Sequence, residues 1–331
     1  MKSTKLVSLV SFAVVASVAS NSIFAASHGK DDDIELYGEI EIRSLDRETT
    51  DLDTIVDKAR IGFKGAHKLN MSGVKGRWQI EFNLPSDNDP ANDSTDDGDV
   101  GLRKANVGLQ GDFGEVIFGR QNNILADTKV IDTFKNDSGV FLFAPDRLGN
   151  AMTYVTPNMG GFHGYVQVAT DADPEENDVD ATVWGANYSD DTFYFGISRY
   201  DEDDDYIGAE RDVTSLGAKA SFGDFSVFGT LQDEDHTNTL VYGVGIGLTM
   251  NDWTFKTALY GFDSDDDGRF GAADGSDDEG RALFFLADYA LGHGISTFAQ
   301  YVYYDEDAED EGFGGSVFSV GIAAEISRTL M

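Results

Sequence analysis

Cysteine is absent from the 331-residue chain and proline occurs only five times. No disulfide framework holds this fold, and little in it forbids extended backbone. Positive charge is scarce, with 24 Lys and Arg against 60 Asp and Glu and a formal net charge of −36. So acidic a chain lacks the basic footprint that nucleic-acid binding needs. Beyond the N-terminus there is no run of about 18 or more apolar residues, which excludes a helical membrane protein. The five histidines show no Ser/His/Asp spacing and no metal pair, so no enzyme is expected.

What is present is alternation. Ile34, Leu36, Ile40 and Ile42 share one phase, and Glu35, Glu39, Glu41 and Arg43 the other. Ala59, Ile61 and Phe63 stand against Lys58, Arg60 and Lys64, and Val74, Trp78, Ile80, Phe82 and Leu84 against Lys75, Arg77, Gln79, Glu81 and Asn83. A period of two means strands. Several full charges on one phase suit a wet lumen, while the apolar phase suits lipid, so the pattern predicts an all-β transmembrane barrel rather than a soluble sandwich.

The same reading gives strands at 34–44, 56–66, 74–84, 101–110, 114–120, 149–156, 162–170 and 180–189. It continues through 192–200, 212–221, 224–233, 239–250, 253–262, 280–290, 294–304 and 316–326. That makes a 16-stranded antiparallel barrel, most of its strands near the roughly 9 to 11 tilted residues that cross the hydrocarbon layer. Connectors after even-numbered strands are short and most of the others are long. The long ones, at 45–55, 85–100, 171–180, 201–212, 233–236, 263–280 and 305–311, hold essentially all of the net negative charge. The acid is therefore gathered on one rim.

Residues 1–25 read as a secretory signal peptide. Lys2 and Lys5 precede the apolar stretch Leu6 to Val18, and Ile23-Phe24-Ala25-Ala26-Ser27 supplies small residues for cleavage near Ala25 or Ala26. Residues 26–331 then form one continuous domain, with no Pro/Gly/Ser linker to divide it.

Several segments carry a likeness to a known family. Ile34-Glu35-Leu36-Tyr37-Gly38 stands at the first strand and Ala59-Arg60-Ile61-Gly62-Phe63-Lys64-Gly65 at the second. Arg103 to Leu109 runs into Gly111-Asp112-Phe113-Gly114, followed by Phe118-Gly119-Arg120-Gln121. Asn150 to Tyr154 leads to Thr156-Pro157-Asn158-Met159-Gly160-Gly161-Phe162. In this order and spacing, the chain resembles the trimeric general porins of Gram-negative bacteria over nearly all of the mature sequence.

The resemblance implies a homotrimer in the outer membrane, in contact with membrane lipid and lipopolysaccharide, with short periplasmic turns and long acidic external loops. It implies passive diffusion of ions and small hydrophilic solutes, with no cofactor. Two features depart from the family pattern. The chain closes on Ile326-Ser327-Arg328-Thr329-Leu330-Met331 without a terminal aromatic residue, and Thr153 stands where members often carry a basic residue in the sixth strand.

The longest connector, 121–148, is nearly neutral and carries Ile124, Leu125, Val130, Ile131, Phe134, Phe141, Leu142 and Phe143. So apolar a segment does not belong in water. The resemblance implies that it is the third loop, folded into the barrel as the constriction, with Asp127, Asp132 and Asp137 facing a basic wall. Phase puts Arg43, Arg60 and Arg77 on the lumen side of that wall. Arg103 is implied by the resemblance but shares parity with Ala105, Val107 and Leu109, so it reaches the lumen only through a bulge.

The acidic rim predicts mild cation selectivity. One loop also matches the opening of a calcium-binding loop, with Asp263, Asp265 and Asp267 at ligand spacing, Gly268 at the sixth position and Asp274 at the twelfth. Calcium there is a possible occupant, against a plain solvated loop. The competing expectation for the whole chain is a surface or adhesion barrel whose acidic loops bind divalent cations.

Overall fold

A computed structural model describes residues 34–48, 50–84, 100–135, 143–170, 179–203, 210–265, 278–313 and 315–330. Its strands are β1 (Ile34–Arg47), β2 (Thr50–Lys68), β3 (Lys75–Asn83), β4 (Gly101–Gly111) and β5 (Gly114–Asn122). β6 is the short piece Arg147–Leu148 continued by Ala151–Val155, since both pair with β5. Then follow β7 (Phe162–Ala169), β8 (Ala181–Ser189), β9 (Phe193–Glu202), β10 (Arg211–Phe222) and β11 (Phe225–Glu234). The series ends with β12 (Thr239–Met250), β13 (Trp253–Ser264), β14 (Asp278–Gly292), β15 (Ile295–Tyr304) and β16 (Val317–Leu330).

Each strand pairs antiparallel with the next, and β16 pairs with β1 from Ile34↔Leu330 to Arg47↔Val317. The ladder is closed, so no strand edge is left unpaired. Side-chain exposure follows the expected phase. On β1, Ile40 and Ile42 are 45% and 39% exposed, whereas Glu41 and Arg43 are 1% and 3% exposed. Charged residues that are more buried than their apolar neighbours mark an inverted barrel, lipid-facing outside and polar within.

The short turns lie at one end. Two of them place Gly223 (φ 63°) and Asn251 (φ 55°) in the left-handed region that a tight hairpin requires. Outward aromatic residues gather beside these turns. Phe162 meets Tyr188 at 4.7 Å between centroids, Phe193 meets Phe222 at 6.1 Å, and Trp253 meets Phe255 at 5.6 Å and Tyr289 at 4.8 Å. Amphipathic rings at that level form an interfacial belt.

The strand boundaries depart from expectation most instructively at three places, each for a reason of pairing. Residues 45–55, expected as a long acidic connector, mostly extend the first hairpin: the β1–β2 pairing runs to Arg47↔Thr50, and the Ser44 and Thr54 hydroxyls meet at 2.7 Å. β-branched Thr54, Ile55 and Val56 favour that extension despite the acids around them. β16 runs to Leu330 rather than Ile326 because its partner β1 begins at Ile34. β6 is interrupted at Gly149 and Asn150, the latter with φ 43°.

The third loop lies inside the barrel. Its short helical turn Ile124–Thr128 is capped by Asn123, whose side chain accepts from the Leu125 N–H at 2.9 Å. Ile124, Leu125 and Ile131 are fully buried, and Phe134 packs against Phe284 at 5.3 Å and Tyr260 at 6.2 Å. Each such side chain is worth about 1.5–3 kcal/mol of burial.

Two inward glycines make the room. A Cβ at Gly217 would run into the Thr128 carbonyl, and one at Gly243 into the Ile131 side chain. Substituting Gly217→Val is therefore expected to cost about 1–3 kcal/mol by overpacking. The temperature at which the folded barrel loses its compact gel mobility should fall, while Gly101→Ala, with open space around it, leaves it unchanged.

Candidate pore constriction

The loop is stitched to wall strands around the lumen. Ile124 N–H donates to Gln167 Oε1 (3.2 Å) on β7, and Tyr194 OH of β9 donates to the Asp127 carbonyl (2.7 Å). The Thr128 and Ser215 hydroxyls share a 2.5 Å hydrogen bond on β10, and Thr230 of β11 donates to the Thr128 carbonyl at 2.9 Å. Tyr260 OH of β13 donates to the Ile131 carbonyl at 2.7 Å. On β15, Gln300 both accepts from the Lys135 N–H (2.8 Å) and donates to its carbonyl (2.9 Å). Held at so many points, residues 124–135 form a fixed partition.

Facing it, β1 to β6 carry the charged wall. Arg60 donates to Glu39 at 3.0 Å, and Lys58 lies 3.4 Å from Glu39 and 3.9 Å from Glu41. Arg103 donates to Glu81, which also lies 3.6 Å from Lys104 and accepts from Tyr37 OH at 2.8 Å. Glu81 pairs with Lys104 and Phe82 with Leu102, so Arg103 is the extra residue of a bulge. This bulge turns Arg103 and Lys104 to the same side, and both are largely buried against the wall. A second bulge, in β2, makes Asp57 the extra residue and sets it 3.4 Å from Arg43 Nε.

The four wall arginines inferred from sequence are spread along the channel. Arg60 stands opposite Asn83, and Arg77 lies six residues nearer the short-turn end of β3, about 20 Å along the strand. Arg77 is engaged there by Glu115. Arg43 lies toward the other end, opposite Ile55. Only Arg60 and Arg103 share a level with a wider basic group, for Arg147 sits close enough to Arg60, Arg103 and Arg120 to feel their charge. Arg147 and Lys104 were missed by sequence reasoning. The break at Gly149-Asn150, just after Arg147, was the available signal, and it supplies a cation at the head of β6, where Thr153 itself is inward and fully buried.

The loop acids take different surroundings. Asp127 is buried within electrostatic reach of Tyr165 and Tyr194, on the β7–β9 side rather than against the arginines. Asp132 lies near Lys129, whose Nζ is 3.8 Å from Asp146. Burial pushes the Lys129 ammonium below the usual lysine range, and Asp146 and Asp132 pull it back. The loop also offers a cation to the wall: Lys135 Nζ is 3.2 Å from Glu41. Asp137 lies outside the described residues.

Of the calcium-loop positions, Asp263 ends the outward phase of β13, and Asp265 accepts from the Asn238 side chain. Asp267 and Asp274 lie outside the described residues. Among the described residues no three His, Asp or Glu side chains are placed to hold a metal.

A closed barrel with an apolar exterior, a charged interior and a loop seated across its waist is a water-filled transmembrane channel. The family model described as "Gram-negative porin" matches residues 7–309. The chain belongs to that family, and it is an outer-membrane protein. A Halomonas sp. protein named "Monosaccharide porin" is 26% identical over 95% of this chain and 98% of its own length. Among solved structures, the anion-selective porin from Comamonas acidovorans superposes with a TM-score of 0.68 at 19% identity, covering 89% of this chain and 100% of that one. The OmpF of Salmonella typhi gives 0.73 at 17%, covering 88% and 97%.

The Arg103–Glu81 pair is testable by a double-mutant cycle. Arg103→Ala alone removes one of the partners of a carboxylate only 4% exposed and is expected to cost about 1–3 kcal/mol. Arg103→Ala with Glu81→Ala should recover part of that loss in denaturant unfolding. Both variants should pass larger single-channel currents through the widened waist.

Proposed function

We propose that the protein is a general diffusion porin that passes ions and small hydrophilic solutes passively, with mild preference for cations. One observation carries the selectivity: Arg43, Arg60, Arg77 and Arg103 are each ion-paired with a wall carboxylate, Asp57, Glu39, Glu115 and Glu81 in turn. These four guanidinium groups stand against carboxylates. The net −36 of the chain then acts from the long connectors at the mouth.

A mouth of one sign concentrates counter-ions over about 8 Å at physiological salt. A cation arrives enriched, and an anion arrives depleted. At the waist, water and polar solutes cross between paired charges, which reward small dipoles and penalise bulky apolar bodies. Size and polarity do the selecting, and the fixed loop sets the size.

Planar bilayers with purified protein test this under a salt gradient. The reversal potential in a KCl gradient should take the sign of K⁺ preference at low salt. It should shrink as ionic strength approaches about 1 M, where screening falls to about 3 Å. Anion preference at low salt, or cation preference that does not respond to salt, would overturn the proposed origin.

A further inference from the structure

Below the third loop, toward the short-turn end, the wall of β10 to β13 carries two lysines. Lys219 shares the inward parity of Ser215 and Gly217, the two residues that touch Thr128 of the loop, and lies three residues before Phe222 at the end of β10. Lys256 lies three residues after Trp253 at the start of β13 and donates to the Thr133 carbonyl at 3.0 Å. The two ammonium groups are near enough to interact with each other. Their strands are three spacings apart, about 14 Å of sheet that two lysine side chains can reach across.

Between them the wall carries two glycines, one hydroxyl and one aromatic ring. Lys256 stands opposite Gly247, and Gly247 stands opposite Ser226, whose hydroxyl occupies the space a Cβ on Gly247 would need. Phe228 stands opposite Lys219 and bounds the bay on the other side. The Ser226 hydroxyl and the Phe228 ring cover the glycine backbone, the flanks are cationic, and the loop lies above.

The counter-charge is incomplete. Among the described residues Lys219 makes no hydrogen bond and no ion pair. Asp288, the carboxylate that reaches Lys256, already lies 3.8 Å from Lys135 and accepts from Ser296 at 3.2 Å. Lys256 spends one of its three N–H donors on Thr133 and keeps two. Two positive groups with unspent donors face a narrow lumen, a geometry that concentrates anions.

We propose that Lys219 and Lys256, with the Ser226 hydroxyl between them, form a low-affinity site for small polyvalent oxyanions. The ligand class is a dicarboxylate or diphosphate, whose two charged ends can meet both ammonium groups. The site stands on the periplasmic side of the constriction. Reaching it requires an open aqueous lumen, so the inference rests on the channel reading above.

Pyrophosphate added to single channels in KCl tests it. Conductance should fall saturably, and more strongly when pyrophosphate is driven from the periplasmic side, as judged by the sign of the applied voltage. Lys219→Gln with Lys256→Gln should need about tenfold more pyrophosphate for the same block, from the loss of two close Coulombic contacts. Lys219→Arg with Lys256→Arg should keep the block. Channels that conduct but show no pyrophosphate effect, or a Gln variant blocked as readily as the parent, would overturn the site while leaving the porin reading intact. Absence of any channel would instead overturn that reading.

Discussion

The closed hydrogen-bonded ladder is the constraint from which the rest of the molecule follows. A backbone in hydrocarbon must satisfy every amide internally, and sixteen antiparallel strands sealed by the β1–β16 register do this without an edge. Closure fixes one face of each strand to lipid and the other to the lumen. Ile40 and Ile42 can then look outward while Glu41 and Arg43, their immediate neighbours, line the channel.

Function enters where this regularity is broken. A bulge places two successive residues on one side, and here two bulges bring Asp57 to Arg43 and Arg103 to Glu81. The loop between β5 and β6 uses a second device. It carries apolar side chains inward to a core built from Tyr260, Phe284 and its own Phe134, and the bare backbone at Gly217 and Gly243 accepts it. Hydrogen bonds to wall side chains then hold it across the waist, so the size limit is set by packing rather than by a free strand of chain.

Much of this is legible in the sequence alone. Period two in Ile34 to Arg43 gave phase, the short connectors gave hairpins, and the hydrophobicity of 121–148 marked a segment that could not remain in water. Arg103 was flagged by its parity conflict, and the bulge resolves it. Other features depend on partners that sequence does not reveal. Asp57 is set inward by its mismatch with β1, Asp127 takes its surroundings from how the loop packs on Tyr194, and residues 45–55 continue a hairpin although their acids read as a loop. Arg147 lies ahead of a strand break and shows its place only once Arg60, Arg103 and Arg120 surround it.

Because the chain has no cysteine, single cysteines can be placed at will to read the environment of each position directly. The most direct measurement is the reaction rate of a membrane-impermeant, water-soluble thiol reagent with cysteines placed one at a time at 39–43, 57–58 and 101–107 in the membrane-inserted protein. Fast reaction is expected at 39, 41 and 43, slow reaction at 40 and 42, and a break in the alternation where 57 and 58, and likewise 103 and 104, react as consecutive pairs. Uninterrupted alternation through 103 and 104, with 103 slow, would contradict it.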